Sequence, residues 1–344
     1  TLFFKKSATQ EKKRKIIACY RQFRADFGEH LRFQRSSFDN MKRYTPENIK
    51  KIEAGILSAE WGKGSEWEIS DAKGQDDAPD YMISYLDAPN DDESGYFLVV
   101  FPWRVMKDEQ GIALLHKWLT YLCEQLEPDN GECGYCLSLP RNYHEYEPME
   151  YQLAKRYHSL QVNSTVHMQT IDFDEAIRSV NWFTILGRPF IQRLGGDEWV
   201  RRYLSQRSDI EVETYSNGLI IRLGKYPDLI PLVEGVPDAY AFLNQLVRPV
   251  RVQPDKADSL HHYGSNQFDK SRTLQWFARY DQGPLVVTPL RAGHPALVSG
   301  FWSTPSKPSS QLFIAQGEFA TDVPGQEPGT TLWHLEREAA SIGE

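Results

Sequence analysis

Four cysteines among 344 residues are too few and too scattered for a disulfide framework. A reduced, cytoplasmic protein is the expectation. The start, "TLFFKKSATQEKKRK", has too short an apolar run for a secretory signal. It also has no initiator Met, so a few residues before Thr1 are expected to be missing. No apolar run approaches the roughly 18 residues that a bilayer span needs, and no membrane contact is expected. No internal repeat is visible, which argues against solenoids and propellers. What is present is ordinary for a globular chain, with 40% hydrophobic and 25% charged residues. That suffices for one large domain and a small one.

Signatures of catalysis are sparse too. "VNWFTILGRPFIQRLGG" (180–196) reads as a strand, a glycine and a helix start, the way a phosphate-binding loop begins. It carries one glycine at the turn, Gly187, and no Lys-Ser/Thr pair follows. Pro189 suits the first turn of a helix, and Gly195-Gly196 a left-handed helix end. Cys133 and Cys136 have redox-pair spacing, but they run into a strand-like stretch rather than a helix N-terminus. No second ligand pair accompanies them for zinc. His261-His262 falls in a polar stretch and reads as surface. "SDAKG" holds an acid-x-Lys element with no partner strand carrying a second metal-binding acid. Asp172, Asp174 and Glu175 suit a helix N-terminal turn. No G-x-S-x-G elbow occurs. No catalytic residue, cofactor or metal site is expected.

Charge is unevenly placed around a net of −8. Residues 1–64 hold 15 Lys/Arg against 7 Asp/Glu, mixed with Phe and Ile at helical spacing, as on an exposed helix face. Residues 65–93 hold 10 acids and one Lys. A second acidic block covers 127–150. Apolar periodicity predicts helices at 9–28, 46–59, 108–126, 148–158, 197–205 and 237–250. Strands are predicted at 81–86, 95–103, 135–140 and 180–187, and a hairpin at 210–224 turning at Asn217-Gly218. Hairpins and helices mix without βαβ alternation. The fold class is therefore α+β, a mainly antiparallel sheet with packed helices plus a small C-terminal β module. The expected division is a domain at 1–251, a polar linker or helix at 252–284, and a β-rich module at 285–344.

"VNWFTILGRPFIQRLGG", "NGLIIRLGKYPDL" and "YAFLNQLVRPVR" occur in that order, with "FPWRVM" and "GYCLSLP" upstream. Over roughly residues 10–252 they resemble the TsiV-like immunity family of type VI secretion. Phe183 stands where Leu is common, and "KYPDLIPLVEGVP" lacks the Gly-Asp that often follows the hairpin proline. The tail, from "LRAGHPALVSGFW" onward, is similar to a module at the ends of bacterial immunity-type proteins, with Ala296 in place of a frequent Cys. The resemblance implies a non-enzymatic cytoplasmic protein that binds and neutralises a toxic effector, a nuclease foremost, with no direct nucleic-acid contact. An effector-loading adaptor and an enzyme that reverses toxin damage are the alternatives.

A nuclease presents basic residues to phosphates, so carboxylates would meet that surface. The candidate partner-binding residues are Asp76, Asp77, Asp80, Asp91, Asp92 and Glu93, then Tyr143, Glu145, Tyr146 and Glu147. Tyr143, Tyr146 and Trp67, lying among those acids, are candidate aromatic anchors, with local packing as the other reading of all three.

Overall fold

The computed structural model describes residues 1–36, 41–58, 66–74, 76–88, 93–163, 175–254, 256–262, 264, 266–282, 289–296, 298–307 and 311–338. Asp91 and Asp92 lie outside the described residues. Among the described ones, ten strands join in one antiparallel sheet. Its order is β3 (Lys42–Arg43), β2 (Phe33–Ser36), β4 (Glu66–Ser70), β5 (Met82–Leu86), β6 (Gly95–Val100), β1 (Leu2–Phe4), β7 (Asn130–Cys133), β8 (Phe183–Gly187), β10 (Gly218–Leu223) and β9 (Ile210–Tyr215). The N-terminal "LFF" is thus a central strand, paired with β6 and β7. Three residues are too few for period-two alternation to announce a strand.

Alternation assigns the two faces. Leu2, Phe4, Trp67, Ile69, Ile83, Tyr85 and Phe97 point to one side. There α1 (Gln10–Phe27), α2 (Pro46–Ser58) and α3 (Glu109–Leu126) cover them. Side chains seal the starts of these helices. Thr9, Thr45 and Asp108 accept from the amides of Lys12, Asn48 and Gly111 at 3.3, 3.2 and 2.9 Å, each cap stabilising by about 1 kcal/mol. Trp67 is fully buried and stacks on Tyr20 at 3.7 Å between ring centroids. It is core packing, and its reading as a partner anchor is corrected.

On the other side, Phe3, Tyr96 and Leu98 pack with α4 (Glu147–Ala154) and α8 (Lys270–Phe277). Leu186, Leu219 and Ile221 pack with α5 (Arg188–Arg193), α6 (Asp197–Leu204) and α7 (Asp238–Val247). A small sheet follows, in the order β11 (Leu290–Arg291), β14 (Leu332–Glu338), β12 (Gly300–Ser303), β13 (Gln311–Ile314). It closes over Trp302, Trp333 and Ile314. The architecture is α+β with a small β module.

Several details depart from the sequence-based expectations. The hairpin turns at Ser216-Asn217, with Tyr215 opposite Gly218, one residue earlier than predicted. The strand near the cysteines is 130–133; beyond it Cys136 makes one isolated bridge to Gln161. β6 stops at Val100, because Pro102 has no N–H to donate, and a 3-10 helix (Trp103–Lys107) follows. The expected polar link buries Val252, Leu260, Phe268, Trp276 and Phe277 against the sheet. His261, expected on the surface, is fully buried. Its Nε2 lies 2.9 Å from a Glu150 carboxylate oxygen, and its Nδ1 accepts from the Phe268 amide at 3.3 Å.

Gly187 is explained by close approach. A Cβ there would lie 2.6 Å from the Asp129 carbonyl oxygen, which accepts the Gly187 amide at 2.7 Å. Gly195 has φ +98°, the left-handed geometry that ends α5. Both features of the phosphate-loop look-alike are therefore scaffold.

Candidate partner-binding site

Among the described residues, no helix covers part of the second sheet face. "EWEIS" in β4 alternates, so Trp67 and Ile69 enter the core while Glu66 and Glu68 face the other way. With Arg35, Ser84, Tyr96 and Leu98 they line a cleft of about 350 Å³. Its far wall is the chain from Cys136 to Arg141, together with Tyr143. A second hollow of about 290 Å³ adjoins it, and Pro79, Val100, Cys136, Leu137 and Ser138 line both. The Ser138 hydroxyl donates to the Pro79 carbonyl, so this tie stands at the divide. The second hollow is mostly apolar, built from Val99, Phe101, Leu115 and Trp182, with Trp103 at its side. Trp103 is 68% exposed.

Electrostatics on the floor are unequal. Arg35 grips Glu66 through both terminal guanidinium nitrogens. Glu68 receives one contact from the same guanidinium, at 3.5 Å. Its side chain is 24% exposed, at the bottom of the cleft. Burial pushes the Glu68 carboxyl above the ordinary glutamate value; Arg35 and Arg141 pull it down and Glu66 adds to the rise. The loop from β4 to β5 is tied by its own acids. Asp71 accepts the Asp80 and Tyr81 amides at 2.9 and 3.0 Å, and Asp77 accepts the Lys73 amide at 2.9 Å.

Residues 15–280 match the family model TsiV, described as type VI immunity for VRR-NUC. The chain belongs to that family. A solved Pseudomonas aeruginosa T6SS protein, PA0821, has the same fold at TM-score 0.72 and 20% identity, over 82% of this chain and 81% of that one. No curated protein matches.

In this TsiV-family fold the predicted acids divide into groups. Asp77 and Tyr143 line the polar cleft, and Asp80 lines the apolar hollow, where it pairs with Arg104 at 2.7 Å. Asp76 is exposed on the same loop, and Glu145 and Tyr146 follow Tyr143 in and just after a 3-10 turn. Glu93 lies apart, in the connection of the β5–β6 hairpin, at the end where Glu66 pairs with Leu86. Glu147 is a correction. It is fully buried beside His144, at 3.4 Å, because α4 turns it inward, and so it presents no surface to a partner. Glu66, Glu68, Arg35 and Trp103 were not among the predicted residues. The alternation in "EWEIS" is the signal that could have found the first two.

Other chemistry finds little footing. Cys133 ends a strand and Cys136 follows it, and burial pushes both thiols up to about 11, the reverse of what a redox pair requires. Among the described residues, no three His, Cys, Asp or Glu side chains are grouped to hold a metal ion. None of the described helices is long and apolar enough to cross a membrane.

Proposed function

We propose that this chain is the immunity partner of a nuclease effector of type VI secretion, which it binds and blocks by covering the effector's active site. The family match over residues 15–280 carries this reading. The acid-lined cleft supports it physically. A nuclease must attract phosphates with Lys and Arg, and a protein offering carboxylates competes for that same surface. Electrostatic complementarity of this kind raises the association rate and fixes orientation. The place of action is the cytoplasm of the cell that carries the gene, where an incoming nuclease meets its substrate.

The test uses, as effector, the product of the gene beside this chain's own. Purified effector is assayed on DNA and RNA with and without this protein, and cells expressing the effector are scored for survival. Stoichiometric loss of cleavage together with survival supports immunity. Tight binding with undiminished cleavage and no survival would make the chain a loading adaptor instead. The protein alone, with Mg²⁺ or Zn²⁺, is expected to give background turnover only. Metal-dependent cleavage abolished by one Asp or His substitution would make it an enzyme.

A further inference from the structure

Most of the second sheet face is covered, by α4 and α8 over β6 and β1 and by α5 to α7 over β8 and β10. Among the described residues no helix covers the part over β2 and β4, and this part joins an apolar hollow at the end of β6. We propose that this double cleft is where the effector docks: one Lys or Arg side chain of the effector seats on Glu68, and an adjoining aliphatic or aromatic side chain fills the apolar half against Trp103. The proposal rests on the immunity reading and adds to it the surface and the chemistry of the contact.

Charge decides the first half. Among the described residues, the polar cleft holds three carboxylates, Glu66, Glu68 and Asp77, against two guanidiniums, Arg35 and Arg141. One cation restores the balance, whereas a phosphate or an acidic peptide would worsen it. The pairing geometry says which carboxylate is open to it. Arg35 is committed to Glu66 through both nitrogens, and among the described residues Glu68 keeps only the 3.5 Å contact. A carboxylate removed from bulk water and weakly paired gains more from an incoming cation than a solvated one does.

Shape decides the second half. A volume of about 290 Å³ walled by Val99, Phe101, Leu115 and Trp182 has room for a large aliphatic or aromatic side chain. Trp103, 68% exposed at its side, is the residue type that anchors interfaces. Asp77 lines the polar half, and Asp76, exposed on the same loop, adds a charge that would steer a basic surface toward it.

Binding of the neighbouring-gene effector is measured by surface plasmon resonance at two salt concentrations, for the full chain and for Glu68→Gln and Trp103→Ala. Glu68→Gln keeps the shape of the cleft and Trp103→Ala trims an exposed ring, so both are expected to melt as cooperatively as the parent. Each should weaken binding at least about tenfold, as interface anchors do, and each should cost protection in the survival assay. Hydrogen exchange in the complex should slow over 66–84 and 134–143. If the parent binds the effector and both variants bind within twofold of it, or if the slowed amides lie on β13 instead, the cleft is not the interface. If the parent itself neither binds nor protects, the immunity reading fails, which is a separate result.

Discussion

Glu68 and Trp67 are neighbours in sequence on opposite faces of one strand, so their substitutions should act in opposite directions. The Glu68 carboxyl titrates higher in the folded protein than in the unfolded chain, because burial outweighs the pull of Arg35 and Arg141. The folded state therefore binds more protons between the unfolded value and the folded one. Stability contributed at this site falls as pH rises through that window. Glu68→Gln removes the penalty, so it should raise the melting temperature at pH 7, with the gain fading below the ordinary glutamate value. Trp67→Ala, by contrast, deletes a fully buried ring stacked on Tyr20. It should cost about 3–5 kcal/mol at any pH. Thermal melts from pH 4 to pH 8 check both, and a Glu68→Gln variant less stable than the parent at pH 7 would show that the Arg35 contact outweighs burial. A half-buried carboxylate that lines a cleft and is held by one long contact is what a binding site looks like when function and stability compete.

Elements with long amphipathic periods were legible in the sequence, and short or interrupted ones were not. α1 and α3 follow their apolar stripes and their N-caps, and the β9–β10 hairpin follows its polar turn, displaced by one residue. β1 was hidden because its three residues gain strand character only from β6 and β7 on either side. The sequence allows a helix in 252–284, and it is present as α8, but Val252, Leu260 and Phe268 read as part of a polar link because polar runs separate them. The candidate site was half legible. Acidic composition pointed to the β4–β5 loop, yet composition cannot distinguish the inward Glu147 from the outward Glu145. The β5–β6 connection keeps its own claim as a contact, since Glu93 lies in it at the end where Glu66 pairs with Leu86, and Asp91 and Asp92 precede Glu93 in the sequence. Reversing all three to Lys should slow association with the effector most at low salt, because screening over about 10 Å already mutes surface charge at 0.1 M. The variant should still melt cooperatively. Normal association at low salt would confine the interface to the β4–β5 side.

At the scale of the whole molecule, the question is where the main fold ends. The sequence places a boundary after 251, whereas the family match runs to residue 280. Packing favours the later point. Leu260, Phe268, Trp276 and Phe277 are buried in the layer over β6 and β1, and Tyr280 is buried among α7 and β10 side chains. The Tyr280 hydroxyl donates to the His158 carbonyl at 2.5 Å, and Arg251 holds Asp281 through two contacts of 2.6 and 2.8 Å. Five large side chains at about 1.5–3 kcal/mol each rival the roughly 5–15 kcal/mol by which a whole domain is stable. A chain ending at Arg251 should therefore fail to melt cooperatively. One ending at Gln282 keeps all five and loses only the four-stranded module, whose Trp302 and Trp333 form a separate core. It should melt cooperatively and still bind the effector, because the double cleft lies wholly within the part retained. Calorimetry and effector binding on the two truncations decide the matter. A cooperative melt from the chain ending at Arg251 would show that residues 252–282 are a covering rather than a part of the core. A chain ending at Gln282 that folds but no longer binds would move the effector contact onto the C-terminal module.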